Sequence, residues 1–131
     1  MIIIMAISGL LSSMSVWADK INDMRLSIND IYMIVLMTAW MTFLMSIIHK
    51  NIAYSFISGL VILATYYAIR KQLFINIKGF YRSMIPHHSM ALLMSKQVLE
   101  KKGLSKGDIE FVKNIIKTQT AEIEWMKTTR L

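Results

Sequence analysis

The chain contains no cysteine. That excludes a disulfide framework, a cysteine zinc knuckle, an iron–sulfur cluster and any thiol chemistry. A site for a soft metal ion must therefore be built from Met and His. Proline occurs once, at Pro86, and glycine five times, so long interrupted loops and disordered or collagen-like tracts are also excluded. Charge is scarce at first: residues 1–69 hold Lys20, Arg25 and Lys50 against Asp19, Asp23 and Asp30, which cancel. What the chain does have is apolar surface. Hydrophobic residues make up 55% of 131 positions and the mean hydropathy is +0.48, too apolar for a small water-soluble domain and in the range of bilayer proteins. Methionine is abundant, at 12 residues, and its first role is as a flexible apolar filler.

The whole formal charge of +7 lies after residue 69, where 12 Lys and Arg face 5 Asp and Glu. A water-facing basic part thus follows an apolar half. Scattered lysines suit solubility and attraction to anionic headgroups. They lack the Arg-rich, aromatic face that nucleic-acid binding needs, so no nucleic-acid partner is expected.

Three stretches carry no charge: residues 1–18, 31–48 and 53–69. At 17 or 18 residues each sits at the lower limit for crossing roughly 30 Å of hydrocarbon, and lipid forces a helix because it offers the backbone no hydrogen-bond partners. Val16-Trp17-Ala18 resembles a signal-peptide cleavage site, but no basic region precedes it, so a retained first helix is expected. The short connections 19–30 and 49–52 make neighbouring helices antiparallel. Ser55 and Gly59 form a small-xxx-small pair that permits close approach, and Tyr66 and Tyr67, followed by Arg70 and Lys71, suit a membrane interface. The expected layout is all-α, with a three-helix transmembrane region over 1–70 and a helical hairpin over 71–131.

The hairpin's first helix includes His87 to Lys102. Pro86 lies at its start or kinks a helix continuing from residue 72, and Gly103 is a natural stop. Ser105 with Asp108 is a capping-box variant opening a second helix from about Lys106 to Thr128, along which Ile109, Val112, Ile116, Ile123 and Met126 recur at helical spacing. Two helices bury too little apolar surface to stand alone. The hairpin should pair with a second copy into a four-helix bundle or dock on the membrane part.

The chemistry concentrates in Met84-Ile85-Pro86-His87-His88-Ser89-Met90-Ala91-Leu92-Leu93-Met94. On a continuous helix Met84, His87, His88 and Met94 fall within roughly 120° of one another. Gln119, Glu122 and Met126 share one face of the second helix. Thioethers and imidazoles are soft to borderline donors that suit Cu(I) or Ag(I). Met is a poor zinc ligand, and a ferritin-type di-iron site needs two Glu-x-x-His pairs that this chain lacks. Met90 lies off the donor arc and His49 reads as an interfacial residue. Met33, Met37, Met41 and Met45 form a separate i, i+4 ladder in the second apolar stretch, open to two readings: packing or a Cu(I) relay.

Met84-Ile85-Pro86-His87-His88, with Ala91 and Met94, then Ile116, Gln119, Glu122-Ile123 and Met126, resembles Domain of Unknown Function family 305. The resemblance implies a ferritin-like helical domain and a copper-binding role, with donors at Met84, His87, His88, Met94 and Met126 and recurring polar positions at Gln119 and Glu122. It also implies membership of a bacterial subgroup with three transmembrane helices ahead of one such domain. A membrane-anchored, non-enzymatic module that sequesters or hands on Cu(I) or Ag(I) is then expected, with the bilayer, the ion and a second copy as partners. The competing readings are an oligomerising adaptor, in which His and Met merely pack, and a non-haem iron enzyme using His87, His88 and Glu122. Two signals conflict over sidedness. Lys20, Arg25, Arg70, Lys71, Lys78 and Arg82 against Lys50 alone place the C-terminal part in the cytoplasm by the positive-inside rule. The resemblance implies the periplasmic or external face of a bacterial inner membrane, to which the Met/His chemistry is suited.

Overall fold

The computed structural model describes residues 2–130, and every regular element among them is helical. The chain divides into two compact units. One takes the residues up to 13 together with Ile28–Ile75; the other takes Met14–Ser27 together with the chain from Asn76 onward.

The first unit contains helices α1 (Ile2–Leu11), α2 (Ile28–Ile48) and α3 (Ile52–Lys71). The two longer ones have 21 and 20 residues, or about 30 Å each at 1.5 Å per residue, which is long and apolar enough to cross a bilayer. In their most apolar windows only 11% and 17% of positions are buried within the protein, so most of the apolar surface faces outward. A tight turn joins them. Lys50 adopts a positive φ of 53° and the Asn51 side chain accepts the Tyr54 N–H at 3.2 Å, capping α3. The helices approach closely through small residues, as the Ser55/Gly59 pair requires: the hydroxyls of Ser46 and Ser55 meet at 2.7 Å, and Phe43 lies 3.7 Å from where a Cβ on Gly59 would stand. Thr42, Ser58 and Thr65 return their hydroxyls to backbone carbonyls of their own helices, while the buried Thr38 hydroxyl makes no hydrogen bond. At the far end the Tyr32 hydroxyl donates to the Leu73 carbonyl, tying the start of α2 to the end of α3.

The expected first span does not form. The uncharged stretch 1–18 breaks after Leu11, and α1, at 10 residues, measures about half a bilayer thickness. The Ser12-Ser13 pair ends it in a turn, and residues 14–17 continue as a short 3-10 helix that belongs to the second unit. The physical cause is Ser15, which is buried and donates its hydroxyl to the Arg25 carbonyl at 2.6 Å. Two helices, not three, are long and apolar enough to span. The short α1 instead rests on α2, where Gly9 lets Ile34 and Met37 approach to 3.0 and 3.1 Å of its missing Cβ position.

The second unit is built on α4 (Ile77–Leu99) and α5 (Lys106–Arg130). The Asn76 side chain caps α4 by accepting the Gly79 N–H at 2.8 Å. Pro86 lies inside α4 rather than at its start. Gly103 supplies the positive φ of 88° that ends the turn. The Ser105/Asp108 capping box closes reciprocally: the Asp108 N–H donates to Ser105 Oγ at 3.1 Å, and Ser105 N–H donates back to the carboxylate at 3.2 Å. The same hydroxyl and amide hold the Asp108 carboxyl below the usual carboxylate range. The core between the helices is Tyr81, Ile85, Leu92, Ile123 and Met126, with Met84 and Ile116 packed against it. Residues 14–27, read from sequence partly as membrane helix and partly as loop, form a strap over α4 made of two short 3-10 turns, Met14–Trp17 and Ile21–Asp23.

Candidate metal centre

The donor arc of α4 does not point into the helix–helix seam. The buried side of α4 carries Tyr81, Ile85, Ser89 and Leu92, and on a helical wheel its centre stands about 100° from the middle of the arc. Hydrophobic burial sets the roll of the helix, and the arc follows as a flank. The four candidates of the arc, with Glu122 and Met126 on α5, therefore divide.

Four gather along the seam. The His88 side chain is 13% exposed, and its Nδ1 stands 3.0 Å from Glu122 Oε2 on α5. The distance is that of an ion pair, yet the buried Nδ1 makes no aligned hydrogen bond, so the carboxylate lies off the line a ring N–H would take. Met126 is 4% exposed in the core and Met84 packs against that core from the edge. Glu122 itself is exposed, so the carboxylate closes the seam from the solvent side. Gln119, the other polar position on this face, is half-buried on the same helix.

Two face outward. Met94 is 59% exposed, and His87 is exposed with its ring centroid 6.2 Å from that of His88. Among the described residues no three His, Asp or Glu side chains gather to hold a metal ion, so His87, His88 and Glu122 do not form a triad. Met90 is half-buried, in keeping with a packing role. In the first unit Met33, Met37 and Met41 lie largely exposed on α2, while Met45 and His49 line a cavity of about 590 Å³ with Thr42, Ser46 and Tyr54. The ladder is thus an outward stripe, not an enclosed line of sulfurs.

The electrostatics favour a neutral imidazole. Burial is the largest influence on His88 and lowers its pKa from 6.5; Glu122 opposes this and the neighbouring His87 adds to it. A neutral imidazole retains the lone pair that metal ligation needs.

Residues 77–130 match the family model described as "Domain of unknown function (DUF305)". A second likeness is longer: "Uncharacterized protein L153" of Acanthamoeba polyphaga mimivirus is 42% identical over 106 residues, covering 77% of this chain and 70% of that protein. The chain belongs to the DUF305 family. Because 77% of the chain cannot fit within the family segment, the likeness to the viral protein extends into the apolar helices ahead of it. The DUF305 segment coincides with α4 and α5 and excludes the strap that packs on them. No solved structure matches the chain.

Sequence reasoning missed Asp19, Asp23 and Ser89. The two acids lie in the strap; Asp23 is 1% exposed and Ser89 fully buried. The one available signal was a pair of aspartates four apart in a short charged connection with Lys20 and Arg25, which reads equally well as a solvated loop.

Proposed function

We propose that this DUF305 protein is a membrane-anchored, non-enzymatic module that binds Cu(I) or Ag(I), for sequestration or transfer, at the α4–α5 seam. The observation that carries the reading is His88: a half-buried imidazole whose Nδ1 is buried without an aligned hydrogen bond 3.0 Å from the Glu122 carboxylate, with Met84 one turn before it on α4 and Met126 one turn after Glu122 on α5. The donor set fits a soft monovalent ion. Met84, His88 and Met126 would hold it, and Glu122 would orient the imidazole and balance the charge. Copper would supply soft coordination chemistry there and nothing else is asked of it. His87 and Met94 lie exposed on the flank of α4, on the side a second copy would meet.

The finer architecture is part of the same proposal. The strap occupies one side of the hairpin, so a second copy completing a ferritin-like four-helix bundle would dock on the side that carries His87 and Met94. The anchor is the α2–α3 pair, with the C-terminal unit on the external face, where thioethers retain their affinity without a reducing environment. A bacterial inner membrane is one such bilayer.

The test is titration of the full chain in detergent micelles with Ag(I), using a competing chelator, for wild type, His88→Ala and Met84→Leu. The α4–α5 fragment alone is unsuitable because it lacks the strap. Saturable 1:1 binding weakened by both substitutions supports the reading. Unchanged affinity in His88→Ala would overturn it and favour the adaptor alternative, in which His88 and Glu122 simply pair.

A further inference from the structure

The strap makes polar contacts of a kind seldom found in a connecting segment. Asp23, with 1% of its surface exposed, accepts the Ser89 hydroxyl at Oδ2 (2.8 Å) and pairs through Oδ1 with Lys127 of α5. Ser89, itself with no exposed surface, accepts the Asp19 N–H at 2.9 Å, and the Asp19 carboxylate meets Lys96 about two turns further along α4 at 2.5 Å. Asp23 therefore bridges α4 to α5. So does the His88–Glu122 contact, from the other side of the seam: Ser89 and His88 are adjacent on α4 and point about 100° apart, on either side of the line between the helices. Two polar bridges thus bracket one apolar core.

A helix packed only by Ile85, Leu92 and Met84 can roll by some degrees at little cost, because dispersion contacts are non-directional and individually small. A hydrogen bond of a fully buried hydroxyl is directional and leaves two orphaned partners when it is broken. We infer that Ser89, held by Asp23 and the Asp19 amide, is a positioning residue that fixes the roll of α4 and so keeps His88 opposite Glu122. The metal part of this inference rests on the proposed function; the geometric part does not. Positioning partners of this kind change metal affinity by about 10- to 100-fold.

The experiment uses the full chain in micelles with two readouts: Ag(I) affinity, and NMR cross-relaxation between the His88 ring and the Glu122 side chain without metal. Ser89→Ala should lose the cross-peak and weaken Ag(I) binding about tenfold while far-UV dichroism keeps its helical amplitude. Asp23→Asn preserves an acceptor for Ser89 but gives up the Lys127 ion pair, and should lose less of both than Ser89→Ala. If Ser89→Ala loses helicity, Asp23→Ala is read in its place. A retained cross-peak and unchanged affinity in Ser89→Ala would overturn the inference, as would equal losses in Ser89→Ala and Asp23→Asn. Should wild type fail to take up Ag(I), the metal reading falls, and the cross-peak alone decides the positioning role.

Discussion

The Asp23–Lys127 pair offers the sharpest test of the second unit. Replacing Lys127 with Leu leaves a carboxylate that is 1% exposed facing only the Ser89 hydroxyl. Removing one partner of a buried ion pair costs about 3–5 kcal/mol, because the remaining charge has given up its water and gained nothing in return. Two features place this case at the low end. Ser89 still donates to Oδ2, and the Lys127 side chain is 22% exposed, so water can approach the vacated end. A loss of about 3 kcal/mol is expected. The strap, α4 and α5 make a unit of roughly 70 residues, for which each kcal/mol moves Tm by about 4–8 °C. Lys127→Leu should therefore lower the unit's transition by about 12–24 °C. Trp125 stands edge-on to the core ring of Tyr81, so its fluorescence reports this transition in micelles while the apolar helices remain folded. The double variant Asp23→Asn/Lys127→Leu removes both charges and should regain much of the loss, with a coupling energy of about 2 kcal/mol. A shift below about 4 °C in the single variant, or strictly additive effects in the cycle, would refute the claim that this pair is buried and bridges α5 to the strap.

Three further expectations follow from individual residues. The lowered pKa of His88 means that, just below 6.5, the unfolded chain binds a proton that the folded one refuses; stability is then full above that range and falls as pH drops through it. Melting points at about pH 7.5 and about pH 5.5 should differ more in wild type than in His88→Asn, and equal differences would remove His88 as the cause. Gly103→Ala forces a Cβ into a φ of +88° and should cost about 1–2 kcal/mol, read as a lower Tm with unchanged Ag(I) affinity. Because the chain has no cysteine, Lys102→Cys and Lys50→Cys give single labelling sites. An impermeant maleimide should reach the first in intact cells and the second only after permeabilisation, and the reverse pattern would place the C-terminal unit in the cytoplasm.

Much of the candidate site was legible because helical periodicity is a local property. The i, i+3, i+4 spacing of Met84, His87 and His88 put them on one arc, and Glu122 and Met126 on another, before any coordinates. Periodicity gives the arc but not the roll. The roll is set by which side of α4 buries Ile85, Leu92 and Tyr81, and that choice sent His88 toward Glu122 and left Met94 in solvent. The first span was misread for a related reason: the absence of charge in residues 1–18 permits a membrane helix but does not require one. Here residues 14–27 fold back on themselves instead, and the buried Ser15 hydroxyl donates to the Arg25 carbonyl.

Taken alone, the sequence established the helical class, the α2–α3 apolar pair and the capping box of Ser105 with Asp108. Each of these follows from residues within a few positions of one another, where chain geometry leaves little choice. The sequence ran the first hairpin helix on to Lys102, whereas α4 ends at Leu99 and Gly103 lies in the turn beyond. Tertiary structure alone decided that residues 14–27 clasp the hairpin, that Asp23 reaches Lys127 and Ser89, and that the six nominated donors split four and two. Those outcomes depend on contacts between residues on different elements, from His88 and Glu122 to Asp23 and Lys127, for which a short charged connection carries no address.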